Sequence, residues 1–180
     1  HTRSAYVTGV LTCALPILIY LSTGCDAAKT RELMEELTSD GKYTVTDDMS
    51  ERMADFSGGY ATQEENAAEI KRLFDDTGYM IDTHTGVASC VYRKYVKETN
   101  DTAKTVIAST ASPYKFSRSV MEAIYGSEEG KDEFELIDEM EKASGVAVHA
   151  AIEEIRNAEI RHNIQCTPDT MESTVADILK

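Results

Sequence analysis

An α/β fold, dominated by helices with a few short strands between them, is what this sequence predicts. Three observations lead there. Apolar residues recur at helical spacing through most of the chain, several times behind a capping residue and ahead of a glycine. Short β-branched or alternating runs interrupt that pattern. And 42% of the 180 residues are hydrophobic, enough for one core of domain size. The strands are too few for a complete wound sheet.

The elements follow in order. Residues 26–41 read as a helix: Asp26 can cap its start, Leu33, Met34 and Leu37 share a face, and Gly41 can close it. Residues 42–45, K-Y-T-V, alternate as a short strand would. Residues 61–78 carry a capping box, Thr62 with Glu65, ahead of Ile70, Leu73 and Phe74, and Gly78 ends the helix. A short apolar strand, Y-M-I-D, precedes a helix over residues 83–99, where Val87, Val91 and Tyr95 repeat every four residues. Residues 104–110, K-T-V-I-A-S-T, form the best strand of the chain, β-branched and apolar as a buried parallel strand should be. Four further helices are expected over residues 117–126, 132–145, 149–159 and 169–180.

Charge narrows the function. A net charge of −14 excludes an electrostatic grip on nucleic acid and on an anionic membrane surface, because both need clustered Lys and Arg. The acidic helices are solvated faces. Cys13, Cys25, Cys90 and Cys166 are widely scattered, which suits reduced thiols better than a disulfide framework. His84 and Cys90 have no companion ligands, so a zinc site is not expected. His149 and His162 read as surface residues of acidic helices, and no nucleophile elbow or phosphate-cradling glycine loop occurs.

Two stretches place small polar residues at an element boundary. In I-D-T-H-T-G-V-A-S, Thr83, His84 and Thr85 stand where a helix starts. The free N–H groups there suit an anion or polar ligand, although a plain threonine cap with a surface histidine is the commoner use of this pattern. In T-V-I-A-S-T-A-S-P-Y-K-F a strand ends in Ser109, Thr110 and Ser112 before Pro113 breaks it. Ligands of open α/β sheets gather at such carboxyl ends, while a polar strand end that caps the next helix is again the commoner case.

The beginning of the chain is different. No charge falls between Arg3 and Asp26, and Y-V-T-G-V-L-T-C-A-L-P-I-L-I-Y-L-S-T-G-C-D has the layout of a secretory signal, ending near a lipoprotein-like cysteine, Cys25. It is too diluted by Thr, Gly, Ser and Pro to be a good membrane span.

The two boundary stretches also carry a family likeness. Y-M-I-D-T-H-T-G-V-A resembles Y-x-x-D-P-H-T-A-V-A of the threonine synthases, and I-A-S-T-A-S-P-Y-K-F resembles that family's A-T-A-H-P-A-K-F, in the same order and separation. L-I-Y-L-S-T-G-C-D with its following helix, and E-E-I-R-N-A-E-I-R-H near the end, extend the resemblance from about Leu18 to Lys180. It implies the C-terminal portion of a fold type II, tryptophan synthase β-like enzyme, helix-rich with a few short parallel strands. Such an enzyme uses pyridoxal 5′-phosphate and converts O-phospho-L-homoserine and water into L-threonine and phosphate in the cytoplasm, with no nucleic acid or membrane as partner. The lysine that forms the cofactor's Schiff base lies upstream in the family, and no lysine from Lys29 to Lys104 matches it. The chain is therefore expected to hold half an active site and to be inert alone.

In that half, Thr110 matches the hydroxyl that faces the pyridine nitrogen. His84, Thr85, Ser112 and Lys115 are the other residues implied to line the site. Thr83 stands for the family's Pro, Gly86 for its Ala and Ser112 for its His; the first two departures are expected to loosen the helix start. The likeness also bears on residues 1–17. V-T-G-V-L-T-C-A-L-P-I closely resembles the translation of a widely used sequencing adapter, with only Leu11 different, so residues 1–17 are expected to be a non-native segment joined to 18–180. Another fold type II lyase or dehydratase is the nearest competitor, against which D-x-H-T and the pair Arg161–His162 speak. An exported, lipid-anchored acidic binding module is the more distant one, and it leaves both family-like segments unexplained.

Overall fold

Helix boundaries follow the capping chemistry written in the sequence. The computed structural model describes residues 14–161 and 163–179, and the chain divides into two units at residues 145 and 146.

The first unit opens with α1 (Ala14–Ser22), α2 (Ala27–Asp40) and α3 (Asp47–Arg52). The Asp26 carboxylate accepts the Lys29 N–H at 2.9 Å, and Gly41, at φ 71°, takes the left-handed turn that closes α2. Ile19, Leu33, Tyr43 and Met49 form one buried cluster, with Met34, Leu37, Val45 and Met53 half-buried against it. The apolar face read from α2 therefore points inward. α1 starts inside the 1–17 segment; residues 1–13 lie outside the described residues.

The rest of this unit consists of α4 (Gln63–Thr77), α5 (Thr83–Thr99), a 3-10 turn at Pro113–Phe116, α6 (Ser117–Tyr125) and α7 (Glu133–Ser144). α4 packs against α5 and α6, and α6 against α7. The Thr62–Glu65 capping box forms as expected, and a second one joins Asp132 to Glu135. Ile70, Met80, Ile81, Tyr114, Val120, Met121, Ile124, Leu136, Ile137 and Met140 are buried. Each such side chain contributes roughly 1.5–3 kcal/mol on leaving water.

Two expectations are corrected. Among the described residues there is no strand: residues 42–45, 79–82 and 104–110 make no ladder. A strand exists only through the neighbour that pairs its N–H and C=O groups, and β-branched composition does not supply one. The segment expected to be buried is largely exposed, with Val106 89% exposed. The helix expected over residues 83–99 forms as α5, and its buried face is Thr85, Gly86, Ser89 and Cys90. Small residues let α4 approach closely, and Val87, Val91 and Tyr95 are left half-buried.

The second unit holds α8 (Ala150–Arg156), a 3-10 turn at Pro168–Thr170 and α9 (Met171–Ile178). No residue of either helix is buried. His149, expected as a plain surface residue within a helix, caps α8 by accepting the Ala151 N–H at Nδ1, 3.1 Å away. No helix among the described residues is long and apolar enough to cross a membrane.

Candidate functional site

The two stretches that stood out in the sequence meet at the N-terminus of α5. The centre of that meeting is Asp82, which is fully buried. Its Oδ1 accepts the His84 N–H at 2.8 Å and the Thr85 N–H at 3.3 Å, so it is the cap of α5 in place of Thr83 or Thr85. Its Oδ2 accepts the Thr85 hydroxyl in a short hydrogen bond. Burial pushes this carboxyl up, yet the bonds from the Thr85 hydroxyl, the two N–H groups and the His84 ring outweigh it and hold it below the ordinary aspartate value. The anion that the helix start could have recruited from outside is thus supplied by the chain itself.

His84 lies half-buried beside it, with Nδ1 3.1 Å from Asp82 Oδ1. An ionised carboxylate only accepts, so Nδ1 carries the hydrogen of this bond. The ring stands edge-on to Phe116, centroids 4.7 Å apart at 67°, which ties the end of the second stretch to the first.

Ser109 makes the other tie. Its Oγ lies 2.8 Å from Thr85 Oγ1 and 3.4 Å from Asp82 Oδ2. Hydrogen counting sets the direction. Thr85 has one hydroxyl hydrogen and gives it to Asp82, so Thr85 Oγ1 must accept from Ser109. Donation runs Ser109 to Thr85 to Asp82, and the buried charge terminates it.

The remaining expected residues are placed differently. Thr110, Ser112 and Lys115 are exposed on or just after the irregular segment, while Tyr114 between them is buried. The structure therefore joins Thr85 and His84 to Ser109 and Phe116, and presents the hydroxyls of Thr110 and Ser112 outward. These hydroxyls can donate to a ring nitrogen or another polar acceptor. The N–H groups at the start of α5, which would suit a phosphate, are already engaged. The pocket lined by Met121, Tyr125, Glu128, Lys131, Glu139 and Lys142 on α6, α7 and their connection includes none of these residues.

At the departures Thr83 and Gly86 the start of α5 is joined to α4 through Asn66. Asn66 of α4 donates Nδ2–H to the Thr83 carbonyl at 3.0 Å. Its Oδ1 is buried without a partner and faces Gly86, where an added Cβ would stand 2.2 Å from it and 2.9 Å from Ile70 Cγ1. A side chain at position 86 would displace the clamp. One turn along, Glu69 is 3% exposed and accepts from Ser89 at 2.7 Å, Arg93 at 2.6 Å and both nitrogens of the Arg72 fork at 2.7 and 3.0 Å. The Arg72 bonds above all, against the opposing effect of burial, pull the Glu69 carboxyl down to about 2. Neither Asn66 nor Glu69 stood out in the sequence, because each acts through a partner some twenty residues away.

Residues 85–159 match the family model described as threonine synthase, C-terminal. The threonine synthase of Saccharomyces cerevisiae is 29% identical over 150 residues, covering 70% of this chain and 29% of that protein. Human threonine synthase-like 1 is 27% identical over 107 residues, 59% of this chain and 14% of that protein. Among solved structures, the pyridoxal-phosphate-bound threonine synthase of Brucella melitensis superposes with a TM-score of 0.53 at 28% identity, over 78% of this chain and 31% of that one. The yeast enzyme superposes equally, TM-score 0.53 at 24% identity, which supports the fold. The chain spans about a third or less of each of these relatives. The resemblance to the C-terminal region of threonine synthase is thus carried by sequence and by fold.

Proposed function

We propose that this chain, resembling the C-terminal region of threonine synthase, forms one wall of a cytoplasmic enzyme that converts O-phospho-L-homoserine and water into L-threonine and phosphate with pyridoxal 5′-phosphate. Residues 18–180 carry that role in this reading, and residues 1–17 stand outside it. The observation that carries the proposal is the exposed hydroxyl of Thr110 directly after Ser109, which is itself held on Thr85 and buried Asp82.

The residues present fit the ring side of the cofactor and not its phosphate. Thr110 offers a neutral donor for the pyridine nitrogen, whereas the nearby helix start is already filled by Asp82. When bound, the cofactor supplies an electron sink for the substrate carbons. A hydroxyl donates to the ring nitrogen without keeping a proton on it, as a carboxylate would, and so tunes that sink to be milder. His84, Ser112 and Lys115 line the same wall, and Thr85 supports it from beneath. The reading requires the cofactor-bearing lysine to come from outside these 180 residues.

The test is made in an enzyme completed with an N-terminal threonine synthase region. Thr110→Ser keeps the donor and should retain most activity. Thr110→Val leaves the nitrogen without its partner, a loss of ~1–3 kcal/mol, so turnover or cofactor affinity should fall roughly tenfold to a hundredfold. Thr110→Asp should shift the cofactor's absorbance. Parent-like spectrum and turnover in both Val and Asp variants would remove Thr110 from this role.

A further inference from the structure

We infer that Asp82 is a positioning residue that, through Thr85 and Ser109, fixes the segment bearing Thr110. The inference rests on the reading just given for Thr110, but the physical device is visible without it.

Residues 101–112 contain neither helix nor strand. Such a stretch has no ladder or helical turn to hold it, and its residues from Thr102 to Val106 are exposed. Its own bonds are local: Ala103 N–H to Asp101 at 2.8 Å and the Thr105 hydroxyl to the Ala103 carbonyl at 3.2 Å. At its start it is tied to α5 by the Tyr95 hydroxyl on Asp101, 3.2 Å. At its end Tyr114 is buried and Phe116 meets His84. Between these anchors, Ser109 gives the segment a hydrogen-bonded tie to another element, meeting Thr85 and Asp82. Thr110 is the very next residue.

The direction of the bonds gives this tie its strength. A hydroxyl pair exposed to water is a weak contact. Here the terminal acceptor is a buried carboxylate, and charge-assisted bonds are about twice as strong as neutral ones. Asp82 in turn cannot drift, because its other oxygen is held by the first N–H groups of α5. The rigid body that places Thr110 is therefore the start of α5, and Ser109 transmits it. Thr85 passes one hydrogen bond to the charge and receives one from the segment, a role that any hydroxyl can fill and no isosteric alkyl group can.

Backbone nitrogen-15 relaxation on the full 180-residue chain, without cofactor, tests this, because it reads how firmly a segment is held whether or not its amides are hydrogen-bonded. Ser109→Ala should lower the order parameters across residues 104–112 into the flexible range, below about 0.6, and leave α4 and α6 unchanged. Thr85→Val should do the same, and Thr85→Ser should restore the parent values. Asp82→Asn adds a check on the acceptor: an amide has a single oxygen, which cannot serve both the helix N–H groups and the Thr85 hydroxyl, so the segment should loosen while α4 and α6 keep their order. Unchanged order parameters at 104–112 in Ser109→Ala, or equal loosening in Thr85→Ser and Thr85→Val, would overturn the inference. In the completed enzyme, Ser109→Ala should shift cofactor absorbance in the same direction as Thr110→Val. If Thr110→Val proves silent while the relaxation result holds, the role given to Thr110 has failed and the clamp has not.

Discussion

Residues 79–88 and residues 104–112 touch at Ser109 and are otherwise built in opposite ways. The first stretch closes on itself. Its aspartate caps its own helix, its histidine leans on that aspartate, and its small residues face α4. The second stretch has the more pronounced local character, a run of β-branched residues, yet it forms nothing and leaves Val106 in solvent. A helix start is completed by groups two or three residues away. A strand is completed by another strand, and none stands beside this one among the described residues.

Removing Asp82 should have the largest effect on that contrast. Asp82→Ala deletes a cap, ~1 kcal/mol, and leaves buried Thr85 short of its acceptor, ~1–3 kcal/mol. The expected loss is about 2–4 kcal/mol in urea unfolding at neutral pH. A loss below ~1 kcal/mol would mean that the first stretch is not self-fastened.

Acid should act next, and in one direction. The Glu69 carboxyl is pulled from its ordinary 4.5 to about 2 in the folded chain. A depressed carboxylate adds stability above its unfolded pKa and loses it as pH falls through the folded one. The chain should therefore weaken between about pH 5 and pH 2. The span is on the order of 2 kcal/mol once the solvent around Arg72 and Arg93 is allowed for. Asp82, also lowered, acts with the same sign. Glu69→Gln should flatten this acid limb, and an unchanged limb in that variant would place the titration elsewhere.

Gly86→Ala should cost about 1–2 kcal/mol. An Ala normally favours a helix by ~1 kcal/mol over Gly, but here its Cβ meets Asn66 and Ile70. In the Asn66→Ala background the penalty should shrink by ~1 kcal/mol, a coupling that a double-mutant cycle reads directly. Simple additivity would show that the clamp does not depend on the glycine.

Val106→Ser should be the mildest, within ~0.5 kcal/mol, as for other exposed sites. The same change in the completed enzyme sharpens the comparison. A cost above ~1 kcal/mol there would show that the segment gains its neighbour only in the larger assembly.

Much of the helix pattern was legible. Asp26, Thr62 and Asp132 cap, and Gly41, Gly78 and Gly145 close, the helices whose ends they mark. α3 was not foreseen, although Thr46 caps it, because six residues give too little apolar period to read. In the site, the two stretches were legible as boundaries. The role of Asp82 was not, although an aspartate two residues before a histidine and three before a threonine is a capping pattern that could have been noticed.

By itself, then, the sequence determined what is local: helix ends, the face of α2, and two polar stretches spaced as in the threonine synthases. Caps and turns act over two to four residues, so the string of letters contains both partners. The tertiary structure alone decided which face of α5 is buried, that Asn66 fills the space left by Gly86, and that Ser89 and Arg93 satisfy Glu69. It also decided that Ser109 rests on Thr85 rather than extending a strand. Each of these joins residues about twenty or more positions apart. Their pairing depends on how closely α4, α5 and the following segment approach, and that is a property of packing which no spacing in the sequence encodes.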